Sequence, residues 1–484
     1  MANYKKHAPP VVGRASEKAE LDRALASSYA ELIAVYGRRR VGKTYLIREY
    51  LSPSIVFELT GLHNETLSRQ LENFSLRLAD RTKKKQPAPT SWLEAFNQLK
   101  TYLRRQKKKR KRVLFFDEFP WLATRRSGFL AAFEEFWNTY ASRDKKLVCV
   151  ICGSAASWMI NRVVNAKGGL HNRTTSTIRL EPFTLGETKS YLISQGVKLN
   201  DFQIAQLYMV LGGIPHYLQQ VKKGRSAAQN IDKLCFAKDG LLTHEFDNLY
   251  AALFDNSDRH EAVIKALAKK QEGLTRTELF QAAGLETGGS LTRTLKELAE
   301  SGFIRETPAL YTAKKNSLLR LTDAYSLFYL NWIKPNRMTG SNIWLSKSSG
   351  TKWRSWCGYA FENLCLSHIP QIKNSLGISG VLTEEASWHY RAKSKNEDGA
   401  QIDLLIDRND QCVNICEMKF TEGEFSIDKR YARDLRRKLD VFKRRTKTNK
   451  SVFTTLVTSH GVKGNDYASE LVASEVSLAD LFKP

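Results

Sequence analysis

The chain has 484 residues, of which 42% are hydrophobic and 26% charged, and its formal net charge at pH 7 is +26. This length accommodates two to four domains with separate cores, and the composition is that of a globular protein. The positive charge predicts a polyanionic partner, with nucleic acid favoured over an anionic membrane surface. No segment is long and apolar enough to span a bilayer, and the N-terminal MANYKKHAPP lacks the apolar region of a signal peptide. We therefore expect a cytoplasmic protein that does not contact a membrane.

The first part of the chain, residues 11–180, alternates strand-like with helix-like segments, which predicts an α/β domain with a parallel sheet. Continuous apolar runs at 31–37, 112–119 and 147–154 are typical of strands that are buried on both faces. The segment 43–51 follows the first of these runs and is predicted to be a helix.

The sequence GRRRVGKT at 37–44 joins that first strand to that helix and fits the phosphate-loop pattern G-x-x-x-x-G-K-[ST]. Gly37 and Gly42 would let backbone N–H groups turn toward phosphate oxygens. Lys43 can reach the β- and γ-phosphates, and the Thr44 hydroxyl can ligate Mg²⁺. The predicted ATP-binding residues are Gly37, Arg40, Val41, Gly42, Lys43, Thr44, Tyr45, Asp117 and Ser154.

A second element of an ATPase site is the strand VLFFDEF at 113–119, which places two acids at its carboxyl end. Asp117 is predicted to hold Mg²⁺ together with Thr44, and Glu118 to polarise the attacking water. Ser154 ends the next strand, where it would either sense the γ-phosphate or form an ordinary turn. Arg173 is a candidate arginine finger, and a solvated or acid-paired arginine is the alternative.

Five segments together resemble the prokaryotic AAA+ ATPases of the archaeal type, which are related to the STAND and origin-recognition ATPases. They are VGRASEKAELDRAL, YGRRRVGKT, FFDEF, ICGSAASWM and GGIPHYL, and they extend over about half of the chain. The resemblance implies a P-loop AAA+ core with a helical lid, ATP and Mg²⁺ as cofactors, and a homo-oligomer in which Arg173 acts across a subunit boundary. It also implies that Gly13 and Arg14 lie near the adenine, and that the turn at 212–215 belongs to a lid near the nucleotide.

Residues 256–335 contain three short helical patterns followed by a strand pair, which predicts a winged helix. Leu291, Leu295 and Leu298 share the apolar face of its third helix. This helix would either enter a DNA groove or serve as a spacer or protein contact. The expected division is an AAA+ core at 1–180, a lid at 181–255, the winged helix at 256–335, a linker at 336–352 and a further α/β domain at 353–484.

Within that last domain, QIDLLIDRNDQCVNICEMKF at 401–420 reads as two strands joined by a turn. Pairing about residue 410 places Asp403 opposite Glu417, with Lys419 on the same face. Carboxylates this close repel each other unless a cation lies between them, and Mg²⁺ or Mn²⁺ fits. Lys419 could then orient the attacking water or stabilise negative charge on phosphate. A surface hairpin with an ordinary Glu–Lys pair is the alternative.

A third carboxylate, Glu362, is the one acid of the apolar helical segment WCGYAFENLCLSHI. Glu362, Asp403, Glu417 and Lys419 together resemble the PD-(D/E)xK nucleases, whose restriction-endonuclease-like domains occur fused to this ATPase family. The resemblance implies a deoxyribonuclease in which Asp403, Glu417 and Lys419 are catalytic and the three carboxylates bind Mg²⁺ (or Mn²⁺). Gln401 could also contact the metal.

The segment that follows, 428–450, carries eleven basic and three acidic residues, which favours a DNA-backbone track over a surface helix without function. We therefore expect an AAA+ ATPase coupled to a metal-dependent DNA endonuclease, in a setting such as defence against foreign DNA. The alternative is a STAND-like regulatory or DNA-binding ATPase whose nuclease-like domain binds without cutting. The expected partners are ATP, DNA, further copies of the chain, and a protein bound through the winged helix.

Overall fold

The computed structural model describes residues 11–107, 109–124, 126–165, 170, 172–254, 257–270, 272–286, 288–311, 317–336, 343–392, 394 and 397–484. The chain divides into two compact units, Met1–Pro182 and Phe183–Pro484. Each unit is built around its own sheet or sheets. In the described ranges, no helix is both long and apolar enough to cross a bilayer.

The first unit contains a five-stranded sheet in which every pairing is parallel, as the sequence predicts. Its strands are β1 (Glu31–Tyr36), β2 (Ile55–Thr60), β3 (Arg112–Asp117), β4 (Leu147–Gly153) and β5 (Ser176–Arg179), in the order β2-β3-β4-β1-β5. Its helices are α1 (Ala15–Ala26), α2 (Lys43–Leu51), α3 (Leu67–Thr82), α4 (Trp92–Arg104), α5 (Phe119–Leu122), α6 (Phe129–Thr139) and α7 (Ala156–Met159). Because β3 lies beside β4 and β4 beside β1, the carboxyl ends of these three strands share one edge.

An aromatic core holds β3 in place. Every residue of β3 and β4 is buried, as expected for the central strands of a parallel sheet covered by helices. The Phe116 ring of β3 meets Phe133 of α6 at 5.5 Å, and Phe96 of α4 stacks on Phe136 of α6 at 5.0 Å between ring centroids. This packing fixes the position of β3, whose last residue is Asp117.

The second unit begins with helices and a small sheet. The helices are α8 (Leu185–Ser194), α9 (Asp201–Leu211), α10 (Pro215–Leu218), α11 (Ala227–Cys235), α12 (Glu245–Ala251), α13 (Ser257–Lys269), α14 (Arg276–Ala283), α15 (Gly289–Glu300) and α16 (Ala324–Phe328). The strands β6 (Leu274–Thr275), β7 (Ile304–Thr307) and β8 (Leu318–Leu321) pair antiparallel in the order β6-β8-β7. Leu291, Leu295 and Leu298 of α15 are buried, as their spacing predicts. The identity of this region as a winged helix remains a prediction.

The segment expected to be a linker, 336–352, is helical in part. Residues 337–342 lie outside the described residues, and Ile343–Lys347 forms the helix α17. Trp344 is buried, stacks on Phe236 at 5.6 Å, and meets Trp353 at 4.7 Å. The Pro, Gly, Ser and Asn content of the segment is typical of a loop, but burial of one indole orders this part of it.

The second unit ends in a mixed five-stranded sheet. Its strands are β9 (Thr383–Tyr390), β10 (Ala400–Arg408), β11 (Cys412–Lys419), β12 (Ser451–Thr458) and β13 (Ser474–Ser477), in the order β13-β12-β11-β10-β9. Its helices are α18 (Thr351–Ser367), α19 (Ile369–Ser375), α20 (Lys429–Thr446), α21 (Asp466–Leu471) and α22 (Leu478–Leu481). Strands β9, β10 and β11 pair antiparallel, whereas β11, β12 and β13 pair parallel. The pair Leu404↔Cys416 shows that the β10–β11 hairpin has the predicted register.

One buried histidine joins the first helix of this unit to α18. The backbone N–H of Leu185 donates a hydrogen bond to His368 Nε2 at 2.9 Å. Nδ1 lies 2.8 Å from the carbonyl oxygen of Leu364 and must donate to it, because a carbonyl only accepts. The ring is therefore neutral, and burial lowers the pKa of His368 to about 4.

We predict that acid destabilises this unit through His368. Because the pKa in the folded state is depressed, the contribution is present above the ordinary pKa of 6.5 and is lost as pH falls from 6.5 toward 4. Between pH 7 and pH 4.5 the loss should be about 2 kcal/mol. Denaturant unfolding of His368→Gln, which retains an acceptor for the Leu185 N–H, should lack this component. A variant of the exposed His244, His244→Gln, should retain it, and equal pH dependence in both variants would contradict the assignment.

Candidate functional site

The phosphate loop of the first unit is built around two glycines with positive φ. Gly37 has φ 145°, and a Cβ atom there would lie 2.3 Å from the Leu180 carbonyl oxygen, so a side chain does not fit. Gly42 has φ 92° and immediately precedes α2. The loop therefore turns back at the sheet edge and presents the N-terminus of α2 there.

Lys43 lies inside the curve of this loop. Its ammonium donates hydrogen bonds to the carbonyl oxygens of Gly37 at 2.9 Å and of Arg38 at 2.8 Å. The side chain is buried, and desolvation lowers the pKa of Lys43. A buried ammonium bound by two backbone carbonyls can exchange them for phosphate oxygens without a large movement.

The two acids at the end of β3 face Thr44 of α2 and Ser154, the residue after β4. Thr44 Oγ1 lies 3.0 Å from each carboxylate oxygen of Asp117. Ser154, directly after β4, donates from its hydroxyl to Glu118 at 2.5 Å and from its N–H at 3.2 Å. Burial and the nearby Glu118 raise the pKa of Asp117. The Thr44 hydroxyl and the Asp117 carboxylate form a pair of oxygen ligands of the kind that Mg²⁺ takes.

Other residues predicted to lie at the nucleotide site differ in how far they are buried. Arg14 is buried and donates to the carbonyl oxygens of Glu181 at 2.7 Å and Val41 at 3.0 Å, so it contacts the phosphate loop directly. Tyr45 is partly exposed at the start of α2, and Arg173 is exposed shortly before β5. The roles of these residues in adenine binding and as a finger remain predictions.

In the second unit, the β10–β11 hairpin brings together the three residues that the sequence singles out there. Asp403 is buried, and one of its carboxylate oxygens accepts a hydrogen bond from the Met418 N–H at 3.2 Å. Glu417 has no exposed surface, and Lys419 Nζ lies 3.7 Å from its carboxylate. Burial and the nearby Asp403 raise the pKa of Glu417, and the neighbouring lysines oppose this rise.

Sequence reasoning missed Lys438, a lysine of α20 that lies in the same site. Its Nζ donates to both carboxylate oxygens of Glu417 at 2.7 Å. The Tyr431 hydroxyl donates to the same carboxylate at 3.3 Å. The signal was present in the sequence, since Tyr431, Leu435, Lys438 and Phe442 follow the i, i+4, i+7, i+11 spacing of one helix face. A lysine in that inward-facing row differs from the exposed lysines of the same helix.

Glu362 of α18 lies at the same site but is paired with an arginine. Arg320 Nη1, from β8, is 3.7 Å from its carboxylate. Burial and the nearby Asp403 raise the pKa of Glu362 to about 8. Throughout the described part of the chain, no three His, Cys, Asp or Glu side chains are placed to hold one metal ion together. The expected set of three carboxylates is thus not assembled as one metal site.

Asp403 and Glu417 remain as two candidate oxygen ligands for a magnesium ion. Mg²⁺ keeps several waters and is commonly bound in proteins through one or two carboxylates. Asp403 and Glu417 supply two, in a buried place where their mutual repulsion favours a cation. In this structure the ammonium of Lys438 supplies the positive charge beside Glu417.

These side chains line a cavity of about 690 Å³. The charged residues that line it around the two hairpin carboxylates are Arg320, Glu362, Asp403, Glu417, Lys419 and Lys438. Arg437 also lines it and, with Arg430 and Arg433, lines a second cavity of about 890 Å³ along α20. Because these three arginines are spaced i, i+3 and i+7, they form one row on the helix. The row leads from the second cavity to the first.

Comparison with known proteins identifies the first part of the chain. Residues 11–221 match the model of an ATPase domain found predominantly in Archaea. The chain is 25% identical over 431 residues to an uncharacterized protein of Methanocaldococcus jannaschii, MJECL04. The match covers 88% of this chain and 91% of that protein. Among solved structures, it is similar to the Walker-type ATPase PABY2304 of Pyrococcus abyssi, with a TM-score of 0.48, 17% identity, and coverage of 66% of this chain and 96% of that one.

A further similar structure is the ORC2 protein of Aeropyrum pernix in ADPNP and ADP complexes. Its TM-score is 0.43 and its identity 14%, and the match covers 71% of this chain and 98% of that one. The match to the domain model includes the phosphate loop, the two acids at the end of β3 and the residue after β4. Residues 11–221 therefore carry an ATPase domain of the archaeal type.

Proposed function

We propose that this protein is an ATPase that couples ATP binding and hydrolysis at residues 37–44 to metal-dependent cleavage of DNA at the cavity beside Asp403. One observation carries this proposal: two buried carboxylates and Lys419 meet at the end of one hairpin, in a cavity that shares Arg437 with a second cavity lined by three arginines and three aspartates. A net charge of +26 agrees with a polyanionic substrate.

In the ATPase half, the hydrogen bonds at the phosphate loop and at the end of β3 support a role for each residue that makes them. Lys43 would exchange its two carbonyl partners for the β- and γ-phosphates, and Thr44 and Asp117 would hold Mg²⁺. Glu118, which Ser154 holds by two hydrogen bonds, would orient the attacking water. Release of Glu118 by Ser154 when a γ-phosphate is bound would couple the state of the nucleotide to catalysis. Arg173 would act on the site of a neighbouring copy in a homo-oligomer.

For this half we predict that Lys43→Ala lowers ATP affinity about 100-fold, because it removes the charged hydrogen bonds to phosphate. Glu118→Gln should bind ATP normally but hydrolyse it about 100-fold more slowly, because an amide cannot polarise water as a carboxylate does. Calorimetry measures the first effect and phosphate release the second. The exposed Lys145 supplies a control variant, Lys145→Ala, that should behave as wild type. Normal hydrolysis by both site variants would contradict the assignment.

In the nuclease half, Asp403 and Glu417 would bind Mg²⁺, which supplies a Lewis acid and an activated water beside the scissile phosphate. Lys419 would stabilise negative charge developing on that phosphate. The arginine row of Arg430, Arg433 and Arg437 would bind the DNA backbone on either side of the cut. A function in defence against foreign DNA would suit this combination and is part of the proposal.

One observation favours a second candidate, a DNA-binding regulatory ATPase whose nuclease-like region does not cut. Lys438 donates to both oxygens of Glu417, which are the oxygens that a metal ion would need. If this contact persists when DNA is bound, the cavity would hold a phosphate without activating water. The predicted winged helix would then supply the contact to DNA or to a protein partner.

Cleavage of plasmid DNA separates the two candidates. With Mg²⁺ or Mn²⁺ and ATP, we predict that wild type cuts, and that Asp403→Ala and Lys419→Ala each slow cutting about 100-fold or more. Asp410→Ala is the matched control, because Asp410 lies in the turn of the same hairpin, paired with Arg408 outside the cavity. Cleavage that survives both site substitutions would refute the site. DNA binding by wild type without cleavage under any nucleotide condition would support the second candidate.

A further inference from the structure

A buried arginine outside the 353–484 region reaches the candidate nuclease cavity. Arg320 belongs to β8, whose sequence is LLRL and whose four residues are all buried. The residue is 2% exposed and lines the cavity together with Asp403 and Glu417. An arginine is almost never fully buried without hydrogen-bonded partners, so its position calls for a physical reason.

The guanidinium group of Arg320 is held in one orientation, but not all of its N–H donors have an acceptor among the described residues. Arg320 Nε donates to the carbonyl oxygen of Glu272 at 2.8 Å, which fixes the plane of the group. Nη1 is buried and finds no hydrogen-bond acceptor among the described residues. The Glu362 carboxylate is 3.7 Å away, which is within ion-pair range but too long for a hydrogen bond. Arg320 lines the cavity, and its guanidinium group thus retains an N–H donor without an acceptor among the described residues.

The pairing of β7 with β8 explains why the arginine faces α18. Arg305 and Arg320 are cross-strand partners and so project from the same face of the sheet. Arg305 Nη1 donates to the carbonyl oxygen of Leu366, and Arg320 faces Glu362, one helical turn earlier. The two arginines therefore contact α18 side by side, but only Arg320 lines the cavity.

We propose that Arg320 is a substrate-binding residue of this cavity, and that its guanidinium group donates to a phosphate oxygen of the DNA backbone. This inference rests on the proposed DNA-binding function of the same cavity. A guanidinium group suits the task because its planar array of donors matches phosphate oxygens. The cavity is then completed by a residue of the predicted winged-helix region, and the 353–484 region alone lacks one of its phosphate contacts.

A purely structural role for Arg320 is the competing explanation. As the counter-ion of Glu362, it would stabilise a buried carboxylate and affect DNA only through the fold. The two roles separate when the Glu362 carboxyl group is also removed. The structural role predicts that Glu362→Gln restores whatever Arg320→Gln loses, whereas a direct contact with phosphate is not restored.

The experiment measures binding of the full chain to a short fluorescein-labelled DNA duplex by fluorescence anisotropy, with Ca²⁺ in place of Mg²⁺. The variants are Arg320→Gln, Glu362→Gln, the double variant, and Arg305→Gln as the control that disturbs the same sheet–helix contact outside the cavity. We expect Arg320→Gln and the double variant to bind about tenfold more weakly. The slope of log affinity against log salt should fall by about 1, because one phosphate contact is lost.

Unchanged affinity and salt slope in Arg320→Gln would overturn the proposal, as would full recovery in the double variant. Thermal unfolding of each variant checks folding, and the double variant carries the test if Arg320→Gln alone does not fold. Plasmid cleavage is scored separately. If wild type binds the duplex but never cuts, the nuclease function fails while the Arg320 contact is still decided by binding. If wild type does not bind the duplex, both proposals are wrong.

Discussion

The candidate nuclease region depends on one constraint: the carboxylate of Glu417 is fully buried beside that of Asp403. Two acids cannot remain ionised in such a place unless cations are close. Here two lysines lie beside Glu417, Lys419 from the same strand and Lys438 from α20. Arg320 of β8 pairs with Glu362, the third carboxyl group of the cavity. The hairpin register, the inward face of α20 and the contact of the small sheet with α18 therefore all serve one electrostatic balance.

The ATPase unit satisfies a similar constraint with different means. Burial raises the pKa of Asp117 and lowers that of Lys43, because it disfavours the charged form of each group. In this structure Asp117 contacts the Thr44 hydroxyl, and the Lys43 ammonium contacts loop carbonyls. A nucleotide with Mg²⁺ brings opposite charges for both groups at once. In each unit, the protein's own polar groups contact the residues that are proposed to bind substrate and metal.

The sequence predicted those parts of the fold that depend on short separations along the chain. Gly37 to Thr44 form a loop whose spacing alone defines it, and the turn after Arg408 determines which residue lies opposite Asp403. What it could not predict comes from packing between distant segments. Lys438 was counted as one more basic residue of α20, and Arg320 as part of an ordinary strand, because only the folded chain shows what each one faces. Trp344 likewise orders a helix in a segment whose composition predicts a loop.

The central claim is that Asp403 and Glu417 form a site for a catalytic divalent cation, and that the Lys438 ammonium moves away from Glu417 when the cation binds. Crystals of the full chain soaked in Mn²⁺ test this most directly through the anomalous signal of the metal. The account predicts a manganese peak between the two carboxylates, with the Lys438 ammonium moved away from Glu417. Absence of a peak at saturating Mn²⁺, with Lys438 still bound to both oxygens of Glu417, would contradict it.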